Sequence, residues 1–350
     1  MKHISSKKFI LTLMLVMAMA ILGACGSSDS EGSSSDEGSS SNEENQESTS
    51  NENEGESSEE ESASGSFEPY TVKHAMGETT VEEKPEKVVI LTNEGTEALL
   101  ALGVTPVGAV KSWTGDPWYD HISDKMEGVE VVGTESEVNI EKIVSLQPDL
   151  IIGNKLRQEK IYDQLNEIAP TIFSETLKGQ WKDNFKTYAK ALNMEEKGQE
   201  LIKEYDKRLE EFASEAGDKL DQNVSVVRFL PDHARIYQKD SFSGVILEQI
   251  GFNRPEPQDK DAFMEKVTKE RIPAMDGDIL FHFTYETGDG AATELKEEWT
   301  NDPLFQNLEV VKEGNVHEVS DAIWNTAGGY LAANKMVDDL EEIILSGESE

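Results

Sequence analysis

The sequence predicts an α/β protein built as two α/β lobes joined by a single long helix. Three observations carry that reading. Apolar runs recur from residue 87 onward, separated by amphipathic stretches of 8–12 residues, the spacing of strand–helix–strand units in a parallel sheet. Residues 194–220 then form a nearly unbroken helical stretch with Leu201, Ile202, Tyr205, Leu209 and Phe212 as its apolar positions. At about 1.5 Å rise per residue it spans roughly 40 Å, enough to traverse a small two-lobed protein. Beyond it the strand–helix alternation starts again.

In order, residues 87–91 (KVVIL) read as a buried strand, and 95–102 as a helix that stops at Gly103. Residues 106–110 and 129–132 are strands, and 139–144 begin a helix. A strand at 149–153, a helix at 158–168 and a strand at 171–173 follow. One helix fills 181–192. In the second lobe 224–230 and 234–238 are strands, and 244–250 is a helix ended by Gly251. Strands at 278–283 and 316–319 and a closing helix at 331–345 complete the pattern. The boundaries are a first lobe at 67–193, the linking helix at 194–220 and a second lobe at 221–350.

The chain has 350 residues, 32 Lys and Arg against 70 Asp and Glu, and a formal charge of −38. That balance argues against a nucleic-acid partner, because phosphate binding draws on clustered cations. The charge is partitioned. Residues 1–24 carry +3 and residues 26–66 carry −13, which leaves −28 on the rest. Lys2, Lys7 and Lys8 precede an uncharged apolar run at 9–22, the pattern of a secretion signal and short for a bilayer span of about 20 residues. An uncleaved membrane anchor is the other reading of that run. Residues 26–66 hold 16 Ser and 13 acids with no large apolar side chain, so nothing there offsets the entropy of ordering. They read as a disordered, self-repelling tether rather than a Ca²⁺ cage.

The apolar run ends in Leu22-Gly23-Ala24-Cys25, which resembles the lipobox of bacterial lipoproteins. That resemblance implies cleavage before Cys25, acylation of its thiol and anchoring to a membrane, and the long tether after it suggests the outer face of a Gram-positive cell. Two acyl chains supply the two anchors that stable attachment needs. Cys25 is the only cysteine, which excludes an internal disulfide.

The motifs PEKVV (85–89), EALLALGV (97–104), LQPDLII (146–152), LEQIGF (247–252) and WNTAGG (324–329) occur in that order. Together with the helix-linked lobes they resemble the ferric-siderophore and cobalamin binding proteins of ABC importers, from about Tyr70 to Ile344. The details are most similar to binders of citrate-based, hydroxamate or carboxylate siderophores. The resemblance implies a helical-backbone siderophore-receptor fold, a shallow cleft between lobes, and a monomer working with an ABC permease and its ATPase. It also implies one acid on each lobe that docks onto the permease. These positions are Glu141 in NIEKI and Glu248 in ILEQIG, which would otherwise read as solvated helix acids. Haem or cobalamin is the alternative ligand within the family, and a surface hydrolase or adhesin the alternative outside it.

A ferric siderophore brings its iron already wrapped in oxygen, so its recognition takes cations, hydroxyl donors and flat aromatic walls. No cofactor and no protein metal ligands are expected. In this acid-rich chain the places where cations meet aromatics are therefore informative. The segment at 228–237 holds Arg228, His233, Arg235 and Tyr237 at a strand–turn–strand, and alternation puts Arg235 and Tyr237 on one face. The loop after the strand at 106–110 carries Lys111, Trp113 and Trp118, with Trp118 the better match to the family's loop aromatic. Arg157 follows the strand ending at Gly153, at the carboxyl edge where open sheets bind ligands. Trp324 resembles an aromatic of the family's cleft. No Arg lies between Trp324 and Gly329, which tilts the expectation from a fully carboxylate chelate toward a mixed citrate–hydroxamate one.

Enzyme signatures are absent. No G-x-S-x-G, H-E-x-x-H or Walker motif occurs, and the six His show no i, i+3 or i+4 pairing. Gly288-Asp289-Gly290 lacks the third glycine of a dinucleotide loop.

Overall fold

The computed structural model describes residues 67–346; the expected secretion signal, lipidation at Cys25 and tether lie outside the described residues. A hairpin of β1 (Tyr70–His74) and β2 (Gly77–Val81) opens the described chain. The first lobe continues with β3 (Val88–Ile90), α1 (Asn93–Leu102), β4 (Gly108–Ala109), β5 (Glu130–Val131) and α2 (Ile140–Leu146). It closes with β6 (Leu150–Asn154), the short helices α3 (Lys155–Gln158) and α4 (Tyr162–Asn166), and β7 (Thr171–Ser174). Its sheet runs β5-β4-β3-β6-β7, parallel throughout.

Helices α5 (Trp181–Ala191) and α6 (Glu195–Ala216) lead into the second lobe. There β8 (Val224–Leu230) and β9 (His233–Tyr237) form a hairpin, followed by α7 (Phe242–Ile250), β10 (Met264–Val267) and β11 (Ile279–Thr284). Helices α8 (Ala291–Thr300), α9 (Pro303–Gln306) and α10 (Glu309–Lys312), strand β12 (Val316–Glu318) and helix α11 (Tyr330–Leu340) complete it. The sheet order is β10-β9-β8-β11-β12; β8, β11 and β12 are parallel, and β9 and β10 are antiparallel to their neighbours.

The linking helix is shorter than the 194–220 expected. It ends at Ala216, where Gly217 takes φ 52° and the chain tightens into a 3₁₀ turn. The helix expected at 158–168 starts earlier, because the Asn154 side chain accepts from Leu156 N at 2.9 Å and caps α3. The closing helix gives way to a wider turn at 341–345. The hairpin β1–β2, strand β10 and helices α8–α10 were not expected from the pattern.

One core runs through both lobes. It joins Ile90, Leu99 and Ile152 of the first lobe to Phe281, Trp324 and Met336 of the second through Trp181, Tyr205 and Phe212. Separate clusters cover the outer faces of the two sheets. The inner strands of both sheets are therefore buried on both faces, as strand runs without polar alternation require. A polar link reinforces this join. Fully buried Glu97 on α1 accepts from Ala332 N in the first turn of α11 at 2.9 Å, and its other oxygen meets His121. A Cβ on Gly329 would stand 2.6 Å from Glu97 Oε2, so only glycine lets the two helices approach this closely. Arg208 on α6 also bonds Asp338 and Glu341 at the end of α11.

Strand order in the first lobe reverses between β3 and β6, the switch point where open α/β sheets leave a crevice at their carboxyl ends. That crevice opens toward β8, β9 and the residues after β11 in the second lobe.

Candidate functional site

The crevice is a cavity of about 390 Å³. Each lobe contributes residues that follow its strands: Glu94 after β3, Trp113 after β4, Arg157 after β6 and Lys178 after β7 from the first, and Tyr285 after β11 from the second. Arg228 on β8 and Arg235 and Tyr237 on β9 complete the charged wall.

Arg157 stacks its guanidinium over Trp113, 5.7 Å from the ring centroid, and lies 3.4 Å from Glu135. Glu135 is buried, and its other oxygen accepts from Asn93 N at 2.8 Å and Asn93 Nδ2 at 2.9 Å. On the facing lobe Arg228 grips Asp321 with two bonds, 2.6 and 3.1 Å, donates to Tyr237 Oη at 3.2 Å and covers Tyr285 at 4.7 Å. Burial works against the Arg228 charge, but the Asp321 carboxylate and these bonds outweigh it and hold the guanidinium above its ordinary pKa. Arg235 is differently held: its Nε donates to His233 Nε2 at 3.0 Å. Glu94 apart, two acids stand against four cations, Glu135 in the lining and Asp321 behind Arg228, and the aromatic rings supply flat walls. That balance suits an anionic, oxygen-rich guest of moderate size.

Glu94 is the exception in the lining. It is enclosed at the start of α1 and accepts from Tyr188 Oη at 3.1 Å. Burial pushes its carboxyl well above the usual range; Glu135 and Glu97 push the same way, against hydrogen bonds from Asn184 and Tyr188. An acid with a raised folded pKa keeps its proton in the fold after the unfolded chain has lost it, so its presence lowers stability as pH rises beyond the unfolded value. Glu94→Gln is accordingly expected to raise the melting temperature at about pH 8 and to change nothing below about pH 4, as read from thermal melts across pH.

Of the residues expected from the sequence, Trp113, Arg157, Arg228, Arg235 and Tyr237 meet at this cavity. Trp118, Trp324, Lys111 and His233 are not in its lining. Trp118 is 8% exposed and turned into the shared core, because Ser112 N bonds Pro117 O and Ser112 Oγ accepts from Tyr119 N, both at 3.0 Å, folding the loop back. Trp324 has no exposed surface; it packs on Phe281 with centroids 4.5 Å apart and donates to Asp339 Oδ2 at 2.8 Å. Lys111 is exposed outside the cavity, and His233 sits behind Arg235. Sequence reading missed Lys178, Glu94, Glu135 and Tyr285. Lys178 and Tyr285 follow strand ends, and the rule that pointed to Arg157 points to them too.

A second cavity of about 530 Å³ is lined by His121, Glu286, Lys335, Asp338 and Asp339, with Asp321 shared between its wall and the Arg228 pair. Among the described residues no group of three His, Cys, Asp or Glu is placed to hold a metal ion.

Two α/β lobes meeting at a cation-lined crevice, with a core continuous across the join, define a solute-binding protein. The chain belongs to the periplasmic binding protein family, whose sequence pattern matches residues 88–322. It is 49% identical to YfiY of Bacillus subtilis, described as a probable siderophore-binding lipoprotein, over 98% of both chains. It is 32% identical to the Fe(3+)-citrate-binding protein YfmC of the same organism, over 75% of this chain and 82% of that one. The crystal structure of Staphylococcus aureus SirA complexed with staphyloferrin B is similar at a TM-score of 0.73 and 37% identity, covering 78% of this chain and 98% of SirA.

Proposed function

We propose that the chain captures a ferric siderophore of citrate type in the cavity between its lobes and delivers it to an ABC permease and its ATPase for iron uptake. The observation that carries this reading is the convergence of Arg157, Lys178, Arg228 and Arg235 with Trp113 and Tyr285 on one crevice. The names of YfiY, YfmC and SirA's ligand support it. The absence of Arg at 324–329 no longer weighs against a carboxylate chelate, because the cations arrive from other strands; carboxylates or hydroxamates complete the iron shell. The ligand carries its own iron, and the protein acts as a carrier rather than a catalyst. It works as a monomer held by lipid on Cys25, with residues 26–66 as its tether.

Titration of purified protein with ferric citrate, ferric staphyloferrin B, haem and cobalamin, followed by tryptophan emission and absorbance, tests this. Saturable quenching by a ferric chelate at roughly micromolar concentration or below is expected. Spectral shifts with haem or cobalamin alone would move the ligand within the family, and silence throughout would reject the reading.

Docking onto the permease falls to Glu141 and Glu248. Both are exposed, one on α2 of the first lobe and one on α7 of the second. Paired anions on separate lobes give register and steering more than affinity. Changing both to Ala is expected to bring cellular ferric-chelate uptake down to background while the purified protein binds as before. Loss of binding in that variant would contradict the assignment.

A further inference from the structure

Arg235 occupies a crowded electrostatic position. In the second-lobe sheet it lies directly opposite Arg228 on β8 and Lys266 on β10, so three cations stand in one cross-strand row. Like charges placed opposite one another on a sheet repel. Arg228 is relieved by Asp321, and Lys266 reaches Asp232 at 3.5 Å. Among the described residues Arg235 has no carboxylate partner. What orients it is His233, two residues earlier and so on the same face of β9.

The protonation pattern of this contact follows from the donor inventory. A guanidinium has no acceptor, so His233 Nε2 must accept the 3.0 Å bond from Arg235 Nε. The imidazole is then neutral, its hydrogen is on Nδ1, and that hydrogen points at Asp232 Oδ1 2.5 Å away. Asp232, largely exposed outside the cavity, is held below the usual carboxylate range by this hydrogen bond. A one-way chain runs from the surface inward: Asp232 fixes the tautomer of His233, and His233 fixes Nε of Arg235. The terminal nitrogens of Arg235 are left for the cavity.

We propose that His233, backed by Asp232, is a positioning residue that locks the Arg235 fork toward the bound ferric chelate without touching it. This rests on the reading of the cavity as a ferric-siderophore site. Asp232 gives the sharpest test, because two accounts predict opposite signs. If only its charge matters, removing an anion near a cationic site strengthens the binding of an anionic chelate. If it anchors the relay, Asp232→Ala weakens binding despite that gain, whereas Asp232→Asn keeps an acceptor for Nδ1–H.

The experiment is tryptophan-emission titration with ferric citrate and ferric staphyloferrin B, alongside melting temperatures. Asp232→Ala is expected to weaken binding about threefold to tenfold, and Asp232→Asn to stay within about threefold of the unaltered protein. His233→Leu should weaken it about tenfold, and His233→Gln, whose carbonyl oxygen can accept from Arg235 Nε, should recover most of that loss. In an Arg235→Met background His233→Leu should add nothing. Tighter or unaltered binding in Asp232→Ala would overturn the relay, as would a His233→Leu loss that persists without Arg235. Because Asp232 is exposed, its variants fold even where a His233 variant does not. Failure of the unaltered protein to bind either chelate would reject the cavity reading instead.

Discussion

Asp321→Ala is expected to lower the unfolding free energy by about 3–5 kcal/mol and the melting temperature by about 10 °C. The Arg228 and Asp321 side chains are 7% and 6% exposed, and two hydrogen bonds join them. Thr326 Oγ1 donates to the same carboxylate at 3.0 Å. Removing it strands a guanidinium in a place water hardly reaches, which costs far more than the pair itself contributes. Replacing both partners by apolar residues, Arg228→Met with Asp321→Leu, is expected to restore most of the stability, because no buried charge is left unpaired. The same double variant should bind ferric chelate poorly, since a cavity cation has gone. Thermal and urea unfolding read the first effect, and chelate titration reads the second. An Asp321→Ala protein within about 1 kcal/mol of the unaltered one would show that Arg228 finds water or another partner.

The second large effect lies in affinity. A hydrogen bond to a charged group is worth roughly 1.5–3 kcal/mol, so loss of one cavity Arg should weaken ferric-chelate binding roughly tenfold to a hundredfold. The two available arginines are not equivalent. Arg235→Met removes a cation that has no carboxylate partner. Arg157→Met also uncovers Glu135, whose Oε2 faced the lost guanidinium at 3.4 Å, and so turns attraction at that wall into repulsion. Arg157→Met should therefore be the more damaging of the two, and adding Glu135→Gln should recover part of the loss. Equal effects, or no recovery, would mean that the Asn93 bonds alone neutralise Glu135.

How much of this was readable from the chain depended on what each segment buries. Strands such as Leu150–Asn154 are enclosed on both faces and declare themselves as apolar runs. The hairpin of Tyr70–His74 and Gly77–Val81 mixes Lys, His, Glu and Thr into strands with few buried positions, so no such run forms. Helix α8 does carry apolar residues at Ala292, Leu295 and Trp299, but its acids and the preceding glycines obscured the spacing.

The site divided along similar lines. Arg157 was legible because the carboxyl end of a parallel strand has a fixed meaning, and Lys178 and Tyr285 obey the same rule. Which tryptophan of one loop would face the cavity was not legible. Ser112 closes the loop through contacts with Pro117 and Tyr119, and only that closure turns Trp118 inward and leaves Trp113 at the wall. Glu94, Glu97 and Glu135 escaped notice for another reason. In a chain with 70 acids a carboxylate reads as surface, and only the fold reveals these three as buried: Glu94 and Glu97 by the packing of α1 against α5 and α11, and Glu135 by its contacts with Asn93, Gln158 and Arg157.

The crevice between β3/β6 and β8/β11 is the site proposed for the ferric chelate. Crystals grown with ferric citrate or ferric staphyloferrin B, with data collected at the iron absorption edge, test it most directly. A single strong anomalous peak is expected between Arg157 and Arg235, with the chelate's anionic oxygens turned toward the cavity cations. A peak in the second cavity beside His121 and Asp338 would contradict it, as would iron bound directly by protein side chains away from the crevice.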